Sequence, residues 1–207
     1  MLCYLCTYFL FCAMAKRGTR EMIVDVAAGL FATSGLRRTT METIAAAAGR
    51  GRRTVYMYFS NKAEIYDAVV ESEIRLITAP LSGLARTDDA LSLILSRYGE
   101  ERARGLCRLL VKNPLLMKDL ALGHSRIERL RDKLQKVEMQ IVVPLFRRHA
   151  SELSAPGNPS PEDYASLYLN MLRGNDRLLT KTDGLNEAIR LSLLSGWLIS
   201  SAKDTSL

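Results

Sequence analysis

Eight side chains between positions 40 and 62 have the types and spacing to hold an anion: Thr40, Arg50, Arg52, Arg53, Thr54, Tyr56, Tyr58 and Lys62. An arginine guanidinium presents a planar fork of donors that matches guanine O6 and N7 or the edge of a phosphate. Threonine and tyrosine hydroxyls bond phosphate oxygens, and a lysine at a helix start adds its charge to the positive helix end. Each has a plainer reading when taken alone. Arginines on a short helix can be a solvated face, a Tyr-x-Tyr pair can be half-buried packing, and Thr39 and Thr40 can be helix caps. The conjunction favours anion binding. One short window holds a threonine cap, an alanine-rich segment, a glycine turn, a basic helix start, an aromatic rim and a terminal lysine.

Parts for catalysis are missing from the sequence. There is no Glu-x-x-His pair, no glycine-rich phosphate loop and no Cys/His nucleophile arrangement. Cys3 and Cys6 have metal-like spacing but lack a second pair or a nearby histidine. We therefore expect no enzyme, no cofactor and no metal.

The anion-binding side chains need short helices held at fixed angles. Ile23, Val26, Ala27, Leu30 and Phe31 recur at i, i+3, i+4, i+7 and i+8, the apolar stripe of an amphipathic helix. Gly35 follows and suits a helix end. Thr39 and Glu42 have the T-x-x-E spacing of a capping box that opens a second helix, with Ile44, Ala45 and Ala48 facing inward. Gly49 marks a turn. A short third helix buries Val55 and Phe59 and carries the arginines at its exposed start. Asn61 and Glu64 cap a fourth helix through Ile65, Ala68, Val69 and Leu76 toward Pro80, long enough to connect two modules. Two short helices around a glycine turn, the second with a basic start, are what a chain needs to set one helix in the major groove of DNA.

The charge distribution agrees. The chain has 207 residues, 48% hydrophobic and 25% charged, with a net charge of +7. Residues 1–62 hold nine of the bases and only three of the acids. The excess is thus a basic module on a nearly neutral body. The four cysteines, three of them in the first twelve residues, make no disulfide framework, so a reducing, cytoplasmic location is expected. Residues 1–13 are apolar and aromatic, too short to span a bilayer. Met14-Ala15-Lys16-Arg17 has the character of a natural start. An apolar arm or a membrane-touching segment are the alternatives.

Beyond Pro80 the pattern stays helical. Leu91, Ile94, Leu95 and Tyr98 form one stripe, and Cys107, Leu110 and Val111 another that closes near Asn113-Pro114. Ile127, Leu130, Leu134, Val137 and Ile141 sustain a long helix with Pro144 near its end. Residues 154–161 form a loop, with Ser160 as cap and Pro161 at the first helical position. The last stripes are Tyr164, Leu167, Tyr168, Met171, Leu172 and then Ile189, Leu193, Leu194, Trp197. No alternating β-type run occurs, so an all-α protein is expected. His124 and His149 read as surface or capping residues. Met117, Tyr98, Tyr168 and Met171 read as plain core or the lining of an apolar pocket, and no ligand-binding residue is nominated.

Residues 20–65 resemble the N-terminal domain of TetR-family transcriptional regulators. The resemblance rests on Leu30-Phe31-Ala32-Thr33-Ser34-Gly35, on Thr39-Thr40-Met41-Glu42-Thr43-Ile44-Ala45, and on the Thr-x-Tyr-x-Tyr-Phe-x-x-Lys run from Thr54 to Lys62. It implies a three-helix DNA-binding head containing a helix-turn-helix, joined by a connector helix to a larger helical bundle for ligand binding and dimerisation. The expected domains are 1–15 as an extension outside the core, 16–64 as the helix-turn-helix domain and 65–207 as the ligand-binding and dimerisation domain. By position it assigns Thr40, Tyr56 and Lys62 to phosphate contact and Arg52 and Arg53 to base reading. It implies a ligand-responsive repressor acting as a homodimer on a palindromic operator. The implied partners are double-stranded DNA, a second copy of the chain and an unidentified small-molecule effector, with no membrane. Tyr168, Leu172, Leu194 and Trp197 are the dimer candidates, with burial in the monomer's own core as the alternative for Trp197 and Tyr168. A ligand-independent DNA-binding or helical interaction module is the alternative. Arg50 and Gly51 depart from the family, which commonly has an apolar residue and then Ser or Thr there.

Overall fold

The computed structural model describes residues 18–122, 125–153 and 159–200. The expectations for residues 1–15 and for His124 lie outside the described residues, as do most of the 154–161 loop and the side chain of Trp197. Every regular element among the described residues is helical. The order is α1 (Thr19–Arg38), α2 (Met41–Ala47), α3 (Arg52–Tyr58), α4 (Lys62–Leu84), α5 (Leu91–Lys112), α6 (Pro114–Leu122), α7 (Ser125–Arg148), α8 (Pro161–Asn175) and α9 (Gly184–Ser200), with short 3-10 turns at Ala150–Glu152 and Asp176–Thr180. The chain divides into two compact units between Ser72 and Glu73, within α4. No helix among the described residues is long and apolar enough to cross a membrane.

The first unit closes on a core of Ile23, Ala27, Phe31, Ile44, Val55, Phe59 and Ile65 with their neighbours. Phe31 meets Tyr66 edge to face at 5.7 Å between centroids, and the Arg20 guanidinium lies 5.0 Å from the centre of the Phe59 ring. Gly35, with φ 78° and ψ 159°, breaks the helical path of α1 in a conformation that L side chains avoid. The following turn corrects one expectation. The cap of α2 is Thr40, not Thr39, and its box partner is Thr43, not Glu42. Thr39 is buried, and its hydroxyl donates to the Gly35 carbonyl at 2.9 Å, so it cannot cap.

The second unit contains the long helices. α9 packs most heavily against α5, and small residues set the approach. A Cβ on Gly99 would stand 2.5 Å from that of Ser192, and one on Gly196 would stand 2.9 Å from the Ser96 hydroxyl. Inward positions on α9 are accordingly Ala188, Ser192, Ser195 and Ile199, while Leu193, Leu194 and Leu198 face outward. The apolar spacing of the sequence groups Leu193 with Ile189 in one stripe, yet Leu193 faces outward, as does Leu194, a dimer candidate. A similar correction applies to Leu76 and Val111, which are exposed, Ile74, Ile77, Leu106 and Leu109 taking the inward places. Pro80 does not end its helix, which continues to Leu84 with the proline on the solvent side. Ser160 and Asp163 form the reciprocal cap of α8, with Pro161 at its start.

Candidate nucleic-acid interface

The turn between α2 and α3 places the basic residues. Gly49 has φ 60°, the left-handed conformation that allows a reversal directly after Ala48. The Gly49 N–H donates to the Ala46 carbonyl at 3.1 Å and the Arg50 N–H to the Ala45 carbonyl at 2.9 Å. These paired bonds satisfy the last carbonyls of α2 and define a Schellman turn. The turn therefore closes on backbone bonds and needs no apolar residue at position 50. Gly51 precedes α3 in extended conformation and makes no side-chain cap.

α3 buries Val55 and leaves the rest of its surface in solvent. Arg50, Arg52, Arg53, Tyr56 and Tyr58 are exposed and Thr54 is half-buried. Among the described residues the side chains of Arg50 and Arg53 have no ion-pair partner. Arg52 has two contacts. Its Nη2 lies 2.7 Å from Glu42 Oε1, and its guanidinium stands 5.9 Å from the centre of the Tyr56 ring. Glu42 is held below the usual carboxylate range, first by its own backbone N–H, then by the Thr40 hydroxyl and by the charge of Arg52. Such an exposed pair contributes little stability and orients Arg52 between helices α2 and α3.

Sequence reasoning overlooked Met57 and Glu42. Met57 is the most exposed of the large apolar side chains among the described residues of the head, at 77%. Its signal was available, since an inward pair at positions 55 and 59 forces position 57 outward. Glu42 meets Arg52 only through the angle between two helices, which no local spacing encodes.

Thr40 is exposed, and its hydroxyl oxygen accepts the Thr43 N–H at 3.1 Å. Lys62 is half-buried. Its Nζ donates to the carbonyls of Leu36 and Thr39, both at 2.7 Å. It thus ties the end of α1 to the start of α4, a structural part that the sequence reading did not give it.

The dimer candidates scatter. Tyr168 is fully buried, its hydroxyl donating to the Leu95 carbonyl, and it packs edge to face on Tyr98 and Phe146. Leu172 is buried as well, so neither side chain presents a surface. Leu194 is 54% exposed, beside the outward Leu193 and Leu198 of the same helix.

The second unit also holds a buried charge cluster. Arg102 Nε lies 2.8 Å from Glu138 Oε1, and its Nη1 lies 2.6 Å from Asp176 Oδ1. Burial opposes the charge on Arg102, but the two carboxylates outweigh it and raise its proton affinity. Burial pushes Glu138 up, against the pull of Arg102. Arg131 adds its Nε to Asp176 at 3.3 Å and its Nη1 to Glu128 at 2.8 Å. Beside this cluster is a cavity of about 20 Å³, lined by Arg131, Asp176 and eleven leucines and isoleucines.

Residues 23–69 match the family model described as bacterial regulatory proteins, tetR family. Over this segment the chain carries the N-terminal domain of the TetR family. The family is one of transcriptional regulators. Among similar relatives, one extends the likeness beyond the head. The HTH-type transcriptional regulator SrpR of Pseudomonas putida is 24% identical over 185 residues, 86% of this chain and 84% of the relative. The HTH-type transcriptional regulator TtgR, also of Pseudomonas putida, is 41% identical over 54 residues, 26% of each chain. Among solved structures, SmeT, the repressor of the Stenotrophomonas maltophilia multidrug efflux pump SmeDEF, shares the all-α fold. Its TM-score is 0.66 at 24% identity, covering 92% of this chain and 94% of SmeT. SmeT has also been solved in complex with triclosan, with a TM-score of 0.64 at 22% identity over 92% of this chain and 95% of that one.

Proposed function

We propose that this protein is a TetR-family regulator, a ligand-responsive repressor that binds a palindromic operator as a homodimer. The observation that carries the reading is α3, a short helix whose one buried residue anchors it while its arginines and tyrosines face solvent. In this reading residues 16–64 form the DNA-binding domain and 65–207 the ligand-binding and dimerisation domain. Arg52 and Arg53 read base edges, with Glu42 orienting Arg52, and Met57 contacts a thymine methyl group. Arg50, Thr40, Thr54, Tyr56, Tyr58 and Lys62 contact phosphate, Lys62 with the N–H that its two carbonyl bonds leave over. The outward leucines of α9 and Leu167 of α8 form the face for the second copy. Their exposure supports this face, whereas Tyr168 and Leu172 belong to the protomer's own core. Two α3 helices would then stand about 34 Å apart, one turn of DNA, or a multiple of it. An effector releases DNA if it binds better to the state in which that spacing is wrong. The triclosan complex of SmeT and the cavity of the second unit support the effector.

Selection from a random-sequence DNA pool tests the reading. A palindromic consensus is expected, with Arg52→Ala and Arg53→Ala each relaxing preference at defined base pairs. Binding indifferent to sequence, or DNA-binding unaltered by every small molecule tried, would favour the ligand-independent module instead.

A further inference from the structure

Resting on the effector reading above, we propose that the cavity of the second unit accepts a neutral, mainly aliphatic molecule carrying one hydrogen-bond acceptor. The lining argues for the aliphatic body. Eleven of its thirteen residues are leucine or isoleucine and none is aromatic, so no ring face offers stacking. The polar end argues against a charge on the ligand. Arg131 and Asp176 are the cavity's two charged residues, and they already face each other at 3.3 Å. Asp176 also takes Arg102, which is shared with Glu138, and Arg131 also takes Glu128, so two guanidinium groups meet three carboxylates and none stands free. An incoming carboxylate would find on Arg131 only a guanidinium whose charge Asp176 and Glu128 already offset, with both carboxylates close enough to repel it, and an incoming ammonium would meet a carboxylate already engaged by two arginines. Either ion would lose its hydration without gaining a free counter-charge.

A neutral acceptor meets neither obstacle. The Arg131 terminal nitrogens each carry two N–H groups, and the contacts to Glu128 and to the Arg173 carbonyl use one on each. An alcohol, ketone or ester oxygen can accept a remaining one. The cavity of about 20 Å³ has room for about one water molecule, so the ligand must spread the leucines apart as it enters. Ile74 and Ile77 of α4 are among the side chains that would move, and the same helix contributes Ile65, Ala68 and Val69 to the core of the head.

Three molecules of equal chain length and different charge test this on the full chain at neutral pH: 1-octanol, octanoate and octylammonium, each below its micelle concentration. Calorimetry and thermal unfolding give affinity and midpoint shift. Octanol should raise the midpoint and bind about tenfold or more tightly than either ion. Leu116→Phe, which fills the cavity from α6, should abolish the octanol effect while circular dichroism and cooperative unfolding remain as in the wild type. Octanoate or octylammonium binding as well as octanol overturns the proposal, as does no binding by octanol. Octanol binding that survives in the folded Leu116→Phe protein overturns the site. Should Leu116→Phe fail to fold, the charge series on the wild type still decides the ligand class. Release of pool-selected DNA by octanol is read separately. Binding without release removes the effector reading and leaves the ligand class standing.

Discussion

Arginine serves opposite purposes in the two units. On α3, Arg50 and Arg53 are open to solvent, and Arg52 holds only an exposed carboxylate. In the second unit, Arg102 is buried between Glu138 and Asp176, out of reach of the solvent that could replace them. The first group is available to an external anion, and the second is already neutralised. The teaching is that net charge identifies a binding surface only where it is left uncompensated. The nearly neutral body holds its own cluster of charges, turned inward and paired with one another.

The comparison breaks most readily at Arg102. Arg102→Met leaves the buried Glu138 without its cation and Asp176 with Arg131 alone, and should lower stability by about 3–5 kcal/mol in urea unfolding. Arg53→Ala should change stability by less than about 0.5 kcal/mol while altering DNA preference. Equal losses from the two would mean that the head's arginines are structural too.

Lys62 lies between these extremes. Lys62→Met removes two charge-assisted bonds to the Leu36 and Thr39 carbonyls, and should cost about 2 kcal/mol of stability in chemical denaturation. It should weaken all DNA sequences alike and flatten the salt dependence. Unchanged stability would assign this lysine to phosphate alone.

Gly49→Ala imposes a left-handed conformation on a residue with a Cβ, at a cost of about 1 kcal/mol. Because the turn aims α3, the loss in DNA affinity should exceed the loss in stability. Parallel losses would show that α3 is oriented by its core contacts instead.

The mildest effect concerns acid. Hydrogen bonding from Arg173, then from Arg131, holds Glu128 below the usual glutamate range despite partial burial. Its folded value lies below its unfolded one, so it stabilises the fold at neutral pH. That contribution fades as pH falls below about 4.3 through the lowered value. Glu128→Gln should therefore lose stability at neutral pH and converge with the wild type in acid, as followed by thermal midpoints. A constant difference across that range would show that the carboxylate's charge is not what matters.

Local signals carried the head. The inward spacing of Val55 and Phe59, the glycine at position 49 and the cap at Asn61 are each readable within a few residues, because caps and tight turns are short-range devices. The one head error was a shift of a single residue, Thr39 for Thr40. Both are threonines, and only the packing of Thr39 against the end of α1 separates them. In the body, periodicity identified helices but misjudged faces. Leu193 and Leu194 have the spacing of a core stripe, yet Gly99 and Ser192 bring α5 and α9 so close that small residues occupy the contact.

By itself, then, the sequence determined that the chain is helical, where several of its helices begin to within a residue, and that the excess of basic residues lies in its N-terminal part. Those properties depend on backbone propensity, capping and charge count, all set by neighbours in the chain. Only the tertiary structure decided which carboxylate each arginine meets. It alone gave Lys62 its carbonyls, set Glu42 against Arg52, and enclosed a leucine-lined cavity beside Asp176. These are contacts between residues ten to more than seventy positions apart, fixed by the angles at which helices pack, and a linear pattern carries no record of those angles.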